Sequence, residues 1–538
     1  MILCKVVVMG NIMPFCENCG IELSAGNNFC ENCGEKVFSM PVFSDRSDTK
    51  SQNDSPMTIF KDWQWQEKWQ RFVRKAQGRA GIILTREKRL LNELYGVSAE
   101  TIHAVIGNYI ENSASAGIYY AYLDVEDCFS QPPENLDSLL SVLKKIVAVA
   151  APRYLFIIGN EKIIETAFVE NNCDADRDVA SDLVFSVLRN FSASQAVGRI
   201  SPVLQVGRLP VFHKETADGF RRYFETVASI RNWVNPAKNY CLSAWVWHEM
   251  SEKIYRTFSS NDIDISPETT VDNVDRNIPR STGLYFFNLH GSSNSGLWYG
   301  QKGTDYPEAF SPRSFNGNRT AFVLAVEACY GARCSDGIGP GESILLQALV
   351  NGCVSFLASS RIAYGKASGD AYCADVIAGE FLYYISRGAA AGDAYFAGIK
   401  KITAKGRLDD AEIKTILEFA LYGDPALVPC GSFSKSFVPE MPLPDISDIE
   451  LPDVVTPVNL ILNRVNEKIE KIVNTCVHKN FFPEMDEYSF GKLEQRLFWL
   501  PDVQLNHKSF TVQGKIGPRI VKVYFDNEGN IKRVYESK

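Results

Sequence analysis

Two segments of the chain place a nucleophilic and a basic side chain directly after apolar runs that are typical of buried strands. The run "AFVLAV" leads to Glu327, Ala328 and Cys329, and the run "GLYFFNL" leads to His290. A thiol whose proton is taken by an imidazole becomes a thiolate, which can attack a carbonyl carbon. Ligands of open α/β sheets bind beyond the carboxyl ends of the strands, so two such ends can meet in one crevice. The sequence therefore predicts a Cys–His pair for nucleophilic catalysis.

The residues around this pair have predicted roles of their own. Gly291 follows the histidine and lets the backbone come close to a substrate. The N–H groups of Gly291 and Cys329 are predicted to form an oxyanion hole, which stabilises the charge that develops on an attacked carbonyl. Cys334 lies beyond the "YGA" turn and is predicted to have a packing role or a side role.

The elements that must position the pair are predicted to be those of an α/β fold. From residue 58 onward, continuous apolar runs such as "AGIILT", "RYLFIIGN" and "CVSFLASSR" alternate with amphipathic segments such as "NLDSLLSVLKKIVAVAAP". This alternation indicates a parallel sheet covered by helices on both faces. "AEIKTILEFALYG" is predicted to be a helix throughout. The pattern fits either two adjacent sheets or one sheet split into two subdomains, with the boundary near residue 235.

Five short segments occur in the order found in the gingipain family of cysteine peptidases: "VGRLPV", "NLHGSSNSG", "LAVEACYGA", "ASSRIAYG" and "LYGDPAL". The resemblance extends over residues 80–430 and implies a caspase-like α/β sandwich in two subdomains. It also implies that Cys329 is the nucleophile and that His290 is its general base or ion-pair partner, with a protein or peptide as substrate.

The resemblance further implies an acid that orients the histidine, placed after the first strand of the second subdomain. Glu249 is the nearest acid here, and the alternative is a solvated carboxylate at a helix start. Tyr364 and Trp298 are candidates for substrate contact, with plain core packing as the alternative for each. Asp424 in "YGDPAL" is predicted to be a turn and helix-end residue.

A second chemical motif lies near the N-terminus. Four cysteines form two C-x2-C pairs separated by ten residues, each pair followed by glycine: Cys16, Cys19, Cys30 and Cys33. Four thiolates arranged as a tetrahedron suit Zn²⁺, and a complete ligand set is typical of a structural site. The segment resembles a small zinc ribbon, with a redox dithiol pair as the alternative. Its acidic side chains favour a protein contact over a nucleic-acid contact.

Bulk properties narrow the class of protein. The formal net charge of −8 does not favour binding to nucleic acid or to an anionic membrane surface. The chain has neither an apolar run long enough to span a membrane nor a recognisable secretory signal. Ten of the 14 cysteines are scattered, which argues against a disulfide framework and for a reducing compartment. A cytoplasmic location is therefore expected.

The composition divides the chain into predicted segments. Residues 1–12 are expected to be an upstream extension. Polar stretches rich in Ser, Asp and Pro separate the compact regions and are predicted to be linkers. The predicted organisation is a zinc ribbon at 14–40, a linker at 41–57, an N-terminal α/β subdomain at 58–235, a catalytic caspase-like subdomain at 236–430, a linker at 431–457 and a small α+β domain at 458–538.

The leading functional hypothesis is a cysteine endopeptidase that performs limited proteolysis inside the cell. A regulatory protein partner, or self-processing within a linker, is expected to control it. The second hypothesis is a catalytically silent, peptidase-like scaffold that binds protein partners through the ribbon and the C-terminal domain. A nucleic-acid-linked regulator is the third, and the acidic charge balance disfavours it.

Overall fold

The structure is a computed structural model of the chain. It describes residues 55–61, 66, 68, 69 and 79–430, the last range with gaps at 127, 129–131, 175, 177, 191–202, 229–237, 280–282, 318–320 and 336. It also describes the backbone of strands between 499 and 536. The four cysteines of the predicted zinc ribbon, both predicted linkers except residues 55–57, and the predicted helix "VNLILNRVNEKIEKIVNTCV" lie outside the described residues.

A ten-stranded sheet forms the centre of the described structure. Its strands, in chain order, are β1 Ala80–Thr85, β2 Tyr119–Asp124, β3 Tyr154–Ile158, β4 Gln205–Leu209, β5 Tyr240–Ala244, β6 Asp264–Ser266, β7 Leu284–Asn288, β8 Phe322–Val326, β9 Cys353–Ser359 and β10 Phe419–Gly423. Their order across the sheet is β6-β5-β7-β8-β9-β10-β4-β3-β1-β2. Strands such as β1, β8 and β9 are buried at every residue, so both faces of the sheet are covered. The predicted α/β class is confirmed.

Strand β10 joins the two halves of this sheet. It pairs antiparallel with β9 and parallel with β4, so the structure has one continuous sheet rather than two adjacent ones. The sequence prediction of a helix through "AEIKTILEFALYG" is wrong here, because the helix ends at Glu418 and the backbone is extended from Phe419. A strand buried on both faces is as apolar as the buried side of a helix, so hydrophobic periodicity does not separate the two.

Several of the described α-helices begin at a residue whose side chain caps the first turn. Asp409 accepts a hydrogen bond from the backbone N–H of Glu412, and Asn135 and Ser138 form a reciprocal capping box. The helices are α1 Glu87–Glu93, α2 Ala99–Ser115, α3 Leu136–Ala150, α4 Leu183–Val187, α5 Ala217–Ala228, α6 His248–Tyr255, α7 Val271–Asn277, α8 Ile344–Val350, α9 Ala374–Ile385, α10 Ala391–Thr403 and α11 Asp410–Glu418.

Short strands extend from the main sheet as hairpins and small ladders. The antiparallel sets are Ala167–Glu170 with Asp178–Ser181, and His290–Ser292 with Ser295–Tyr299 and Glu308–Phe310. Leu94–Tyr95 pairs in parallel with Glu215–Thr216. Within the C-terminal unit, Trp499–Leu500, Ser509–Ile516, Arg519–Asp526 and Ile531–Glu536 form a separate four-stranded antiparallel sheet.

None of the described helices has the length and apolar character needed to cross a membrane. In the same part of the chain, His, Cys, Asp and Glu side chains nowhere cluster in a way that could hold a metal ion.

Asp424 is a fully buried carboxylate at the end of β10. It accepts hydrogen bonds from the hydroxyl groups of Tyr109 and Tyr120 and from the backbone N–H of Ala426. Its own N–H donates to the hydroxyl of Tyr223. Burial raises the pKa of Asp424, and the hydrogen bonds from the two tyrosines oppose that shift. The residue fixes a turn, as predicted, but the predicted helix end is wrong because the turn follows strand β10. Asp424 also ties β10 to the N-terminal half of the fold.

We expect Asp424→Ala to lower the free energy of unfolding by about 2–4 kcal/mol, because it leaves two buried tyrosine hydroxyls without their acceptor. Thermal unfolding followed by circular dichroism measures the change. Asp218→Ala is the matched control, since the Asp218 side chain is 73% exposed, and it should leave the transition in place. Equal stability of the two variants would contradict the structural role of Asp424.

Candidate active site

Cys329 lies three residues beyond the end of β8, a strand that is buried along its whole length. The cysteine itself is partly exposed, and its Sγ lies 3.8 Å from the carbonyl oxygen of Ala363. The next residue, Tyr330, has a φ of +52°, in the left-handed region that side chains other than glycine seldom adopt. The buried strand and this sharp turn together set the direction in which the thiol faces.

His290 follows β7 and begins the short strand His290–Ser292. Its Nε2 lies 2.7 Å from Oε1 of Gln301. The imidazole is half-buried between two aromatic rings, with ring centroids 4.4 Å away for Trp247 and 5.3 Å away for Tyr306. These contacts fix the plane of the histidine ring.

The histidine segment and the cysteine turn lie directly against each other. β7 and β8 are parallel neighbours, and the backbone N–H of Glu327 donates to the carbonyl oxygen of Phe287 at 2.9 Å. A Cβ on Gly291 would lie only 1.9 Å from the carbonyl oxygen of Cys329. Only glycine fits at this contact, so the predicted need for Gly291 has a steric cause as well as the catalytic one. The two strand ends are thus brought to one place.

Burial keeps both groups uncharged at rest. It raises the pKa of the Cys329 thiol, an effect that Glu418 reinforces and Lys414 opposes. Burial also lowers the pKa of His290, and the hydrogen bond to Gln301 acts against that shift. At neutral pH the resting site therefore holds a thiol and a neutral imidazole, which can accept a proton.

A buried ion cluster lies behind the cysteine turn. Lys414 of α11 is fully buried, and its Nζ lies 2.9 Å from Asp176 and 3.8 Å from Glu418. It also pairs with Asp174. Burial would lower the pKa of Lys414, but the three carboxylates outweigh it and the pKa is raised. The lysine therefore stays charged.

The ion cluster anchors two segments beside the thiol, the turn after Cys329 and the segment from residue 362 to 364. Asp176 accepts hydrogen bonds from the Tyr330 hydroxyl at 2.5 Å and from the backbone N–H of Ile362 at 2.9 Å. Asp174 accepts from the Tyr364 hydroxyl at 2.6 Å. The left-handed residue after the nucleophile and the segment from residue 362 to 364 are consequently fixed to one buried cation.

The structure separates the two predicted substrate contacts. Tyr364 is partly buried beside the ion cluster, in the same segment as Ala363 and therefore next to the thiol. Trp298 is only 3% exposed and packs against Phe287 and Phe310. Its position is in the core, which matches the packing alternative for that residue and not a surface of the cleft.

The predicted third acid and the observed partner of the histidine are different residues. Glu249 is exposed in the first turn of α6. Gln301, which no sequence motif indicated, makes the hydrogen bond to Nε2 of His290. Its position eleven residues after the histidine, in a loop, gave no signal, and neither did Trp247 or Tyr306.

Glu327 had no predicted role, and the structure places it in the interior. It is 7% exposed, and burial together with the neighbouring carboxylate of Asp375 raises its pKa well above the ordinary value. Asp375 accepts hydrogen bonds from the backbone N–H groups of Lys366 and Tyr372. Glu327 therefore faces the residue that shapes the loop between β9 and α9.

No curated protein matches this chain. Among solved structures, gingipain R (RgpB), an Arg-specific cysteine proteinase, has 12% sequence identity and a TM-score of 0.48, with 86% of this chain and 90% of that chain covered. The complex of the pro- and mature domains of Porphyromonas gingivalis RgpB has 12% identity and a TM-score of 0.46, with 86% and 91% covered. A structure described only as a protease has 9% identity and a TM-score of 0.44, with 85% and 96% covered.

A match to a family covers more than half of the chain. Residues 93–430 match the sequence model described as Peptidase family C25. That range contains the main-sheet strands β2 to β10, the histidine segment and the cysteine turn. The chain therefore belongs to peptidase family C25, the gingipain family of cysteine peptidases.

Proposed function

We propose that this cysteine peptidase is an endopeptidase that cleaves protein substrates with Cys329 as nucleophile and His290 as general base. The observation that carries the proposal is the contact between Gly291 and the carbonyl of Cys329, which joins the two strand ends. Family membership supplies the class of reaction. The neutral state of both groups favours proton transfer during attack over an ion pair formed in advance.

The chemistry follows from these positions. His290 takes the thiol proton as sulfur attacks the carbonyl carbon of the scissile peptide bond, and the carbonyl oxygen becomes an oxyanion. The backbone N–H groups of Gly291 and Cys329 stabilise that oxyanion. His290 then gives the proton to the leaving amine, and an acyl-enzyme remains on sulfur. Water, deprotonated by the same histidine, releases the acid product and restores the thiol.

The proposal also covers the cellular compartment of the protein and the role of its N-terminal cysteines. Cys16, Cys19, Cys30 and Cys33 would hold one structural Zn²⁺, because two C-x2-C pairs supply four soft ligands. Thiolates that bind zinc favour a reducing, cytoplasmic compartment and hence limited proteolysis inside the cell. A protein partner, or self-processing in a linker, would control the activity.

A second candidate function is a scaffold that binds protein partners without cutting them. The specific observation in its favour is that the thiol lies against the Ala363 carbonyl, with its pKa raised by burial. A thiol held in this way reacts slowly unless a base takes its proton. The reactivity of Cys329 separates the two functions.

Cys329→Ala should abolish labelling by iodoacetamide at the active site and should abolish cleavage of an unfolded protein substrate. Cys334→Ala is the matched control and should retain both, since Cys334 packs against the core. Mass spectrometry locates the label, and the sizes of the product peptides show whether cuts are internal. Unchanged labelling and cleavage in Cys329→Ala would remove the proposed nucleophile, and intact protein substrates together with an unlabelled wild-type Cys329 would favour the scaffold.

The rate at which iodoacetamide alkylates Cys329 should keep rising with pH beyond the ordinary cysteine pKa of about 8.5. A raised thiol pKa means that the thiolate fraction is small at neutral pH and grows as pH increases through the shifted value. The measurement is site-resolved alkylation between pH 5 and 10. A plateau already present below pH 7 would indicate a preformed thiolate–imidazolium pair and contradict the expected neutral state.

Purified wild-type protein should contain about one zinc per chain, as four thiolates form one closed tetrahedral site. The double variant Cys16→Ser/Cys19→Ser should contain almost none, as measured by elemental analysis. Cys128→Ser, which changes a buried cysteine of the α/β region, is the control for the loss of a thiol. Retention of zinc by the double variant would rule out the ribbon site.

A further inference from the structure

We infer that Gln301 is the positioning residue of His290: its amide oxygen holds the Nε2–H of the imidazole and leaves Nδ1 as the basic nitrogen. This inference rests on the proposed function, because it concerns the histidine that activates Cys329. It assigns to a neutral amide the place in which an acid was predicted, and it gives the site a fixed tautomer.

The hydrogen-bond directions around Gln301 allow only one orientation of its amide. The Gln301 Nε2 lies 3.1 Å from the carbonyl oxygen of Gly303, which can only accept. The amide nitrogen must therefore face Gly303, and Oε1 must face His290 at 2.7 Å. Since Oε1 is an acceptor, the proton of a neutral His290 lies on Nε2.

The loop that carries Gln301 is closed by hydrogen bonds of its own. The N–H of Gly300 donates to the carbonyl of Pro307 at 3.0 Å, and Lys302 and Asp305 exchange backbone hydrogen bonds at 3.0 and 3.2 Å. A second bond of the Gln301 amide nitrogen goes to the Tyr306 hydroxyl at 2.7 Å. The amide is thus held at both ends of the loop and has little freedom to turn.

The loop is also fixed to the rest of the fold. A Cβ on Gly300 would lie 2.0 Å from Oγ of Ser266, so the loop packs closely on the end of β6. The backbone N–H of Val246 donates to the Gln301 carbonyl at 3.3 Å. Val246 neighbours Trp247, whose ring packs on the imidazole. This backbone hydrogen bond therefore joins the loop that supplies the hydrogen-bond acceptor of His290 to the segment that packs on its ring.

A neutral amide suits a buried histidine that must alternate between the neutral imidazole and the imidazolium. Burial disfavours the imidazolium, and the Gln301 oxygen partly restores its stability as an acceptor. Among the described titratable side chains, the ring of Tyr306 contacts the imidazole, and the backbone of Cys329 lies against Gly291, the residue after the histidine. Lys302, next to Gln301, is paired with Glu268 at 2.8 Å.

The test uses the full chain labelled with ¹⁵N-histidine, which gives signals from six residues. Loss of signals in His290→Ala identifies His290. The neutral ring should carry its proton on Nε2. The pH midpoint of its titration should fall in Gln301→Met and rise by about one unit or more in Gln301→Glu, because a carboxylate stabilises imidazolium more than an amide does.

The same variants are then compared in alkylation of Cys329. Gln301→Met should slow the reaction about tenfold, since a base that is poorly oriented takes the proton less well. Gln301→Glu keeps an acceptor oxygen in place and should stay within about threefold of wild type. The matched control is Gln347→Met. Gln347 lies on α8, and the substitution removes its exposed side-chain hydrogen bond to Asn316. It should change neither measurement.

Each outcome decides the inference. A proton on Nδ1 of the neutral ring would overturn it, and so would a Gln301→Met titration equal to that of Gln347→Met. If the wild-type thiol resists alkylation altogether, the proposed function fails, while the histidine titration still decides whether Gln301 sets the state of His290.

Discussion

The candidate active site depends on one buried cation. Lys414 is fully buried and lies among Asp174, Asp176 and Glu418. Removing one member of such a group leaves an uncompensated charge in the interior, which costs about 3–5 kcal/mol. Through Asp176 the cation holds the Tyr330 hydroxyl, and the left-handed turn after Cys329 is therefore kept by an interaction more than 80 residues away in sequence.

The electrostatics of the pair follow from its position at the edge of a sheet that is covered on both faces. The strand that precedes Cys329 is buried, so the thiol lies in a low-dielectric environment that favours its neutral form. The same environment disfavours the charged histidine. In the proposed reaction, charge separation would cost least when a substrate provides its own developing charge, which the backbone N–H groups would stabilise. Burial would therefore restrain that reaction in the free protein.

The sequence was sufficient for features that leave a local pattern, and insufficient for those that depend on long-range contacts. Cys329 and His290 stand after apolar runs, so the rule for strand ends located them. β10 was missed because its apolar run continues that of the preceding helix. Lys414 was missed because its hydrogen bond to Asp174 joins residues 240 positions apart. Gln301 was missed because a single polar residue in a loop, eleven positions after the histidine, leaves no periodic pattern. Trp298 shows the reverse case, where a residue close to His290 in sequence points into the core.

The position of β10 has a consequence for synthesis on the ribosome. This strand lies in the middle of the sheet, yet it comes last in chain order among the described strands of the main sheet. Until residues 414–423 have left the exit tunnel, the two halves of the sheet have no strand between them and the cysteine turn has no buried cation behind it. Domains generally fold as units during translation. The thiol therefore reaches its final surroundings only after almost all of the region matched to the peptidase family has been made.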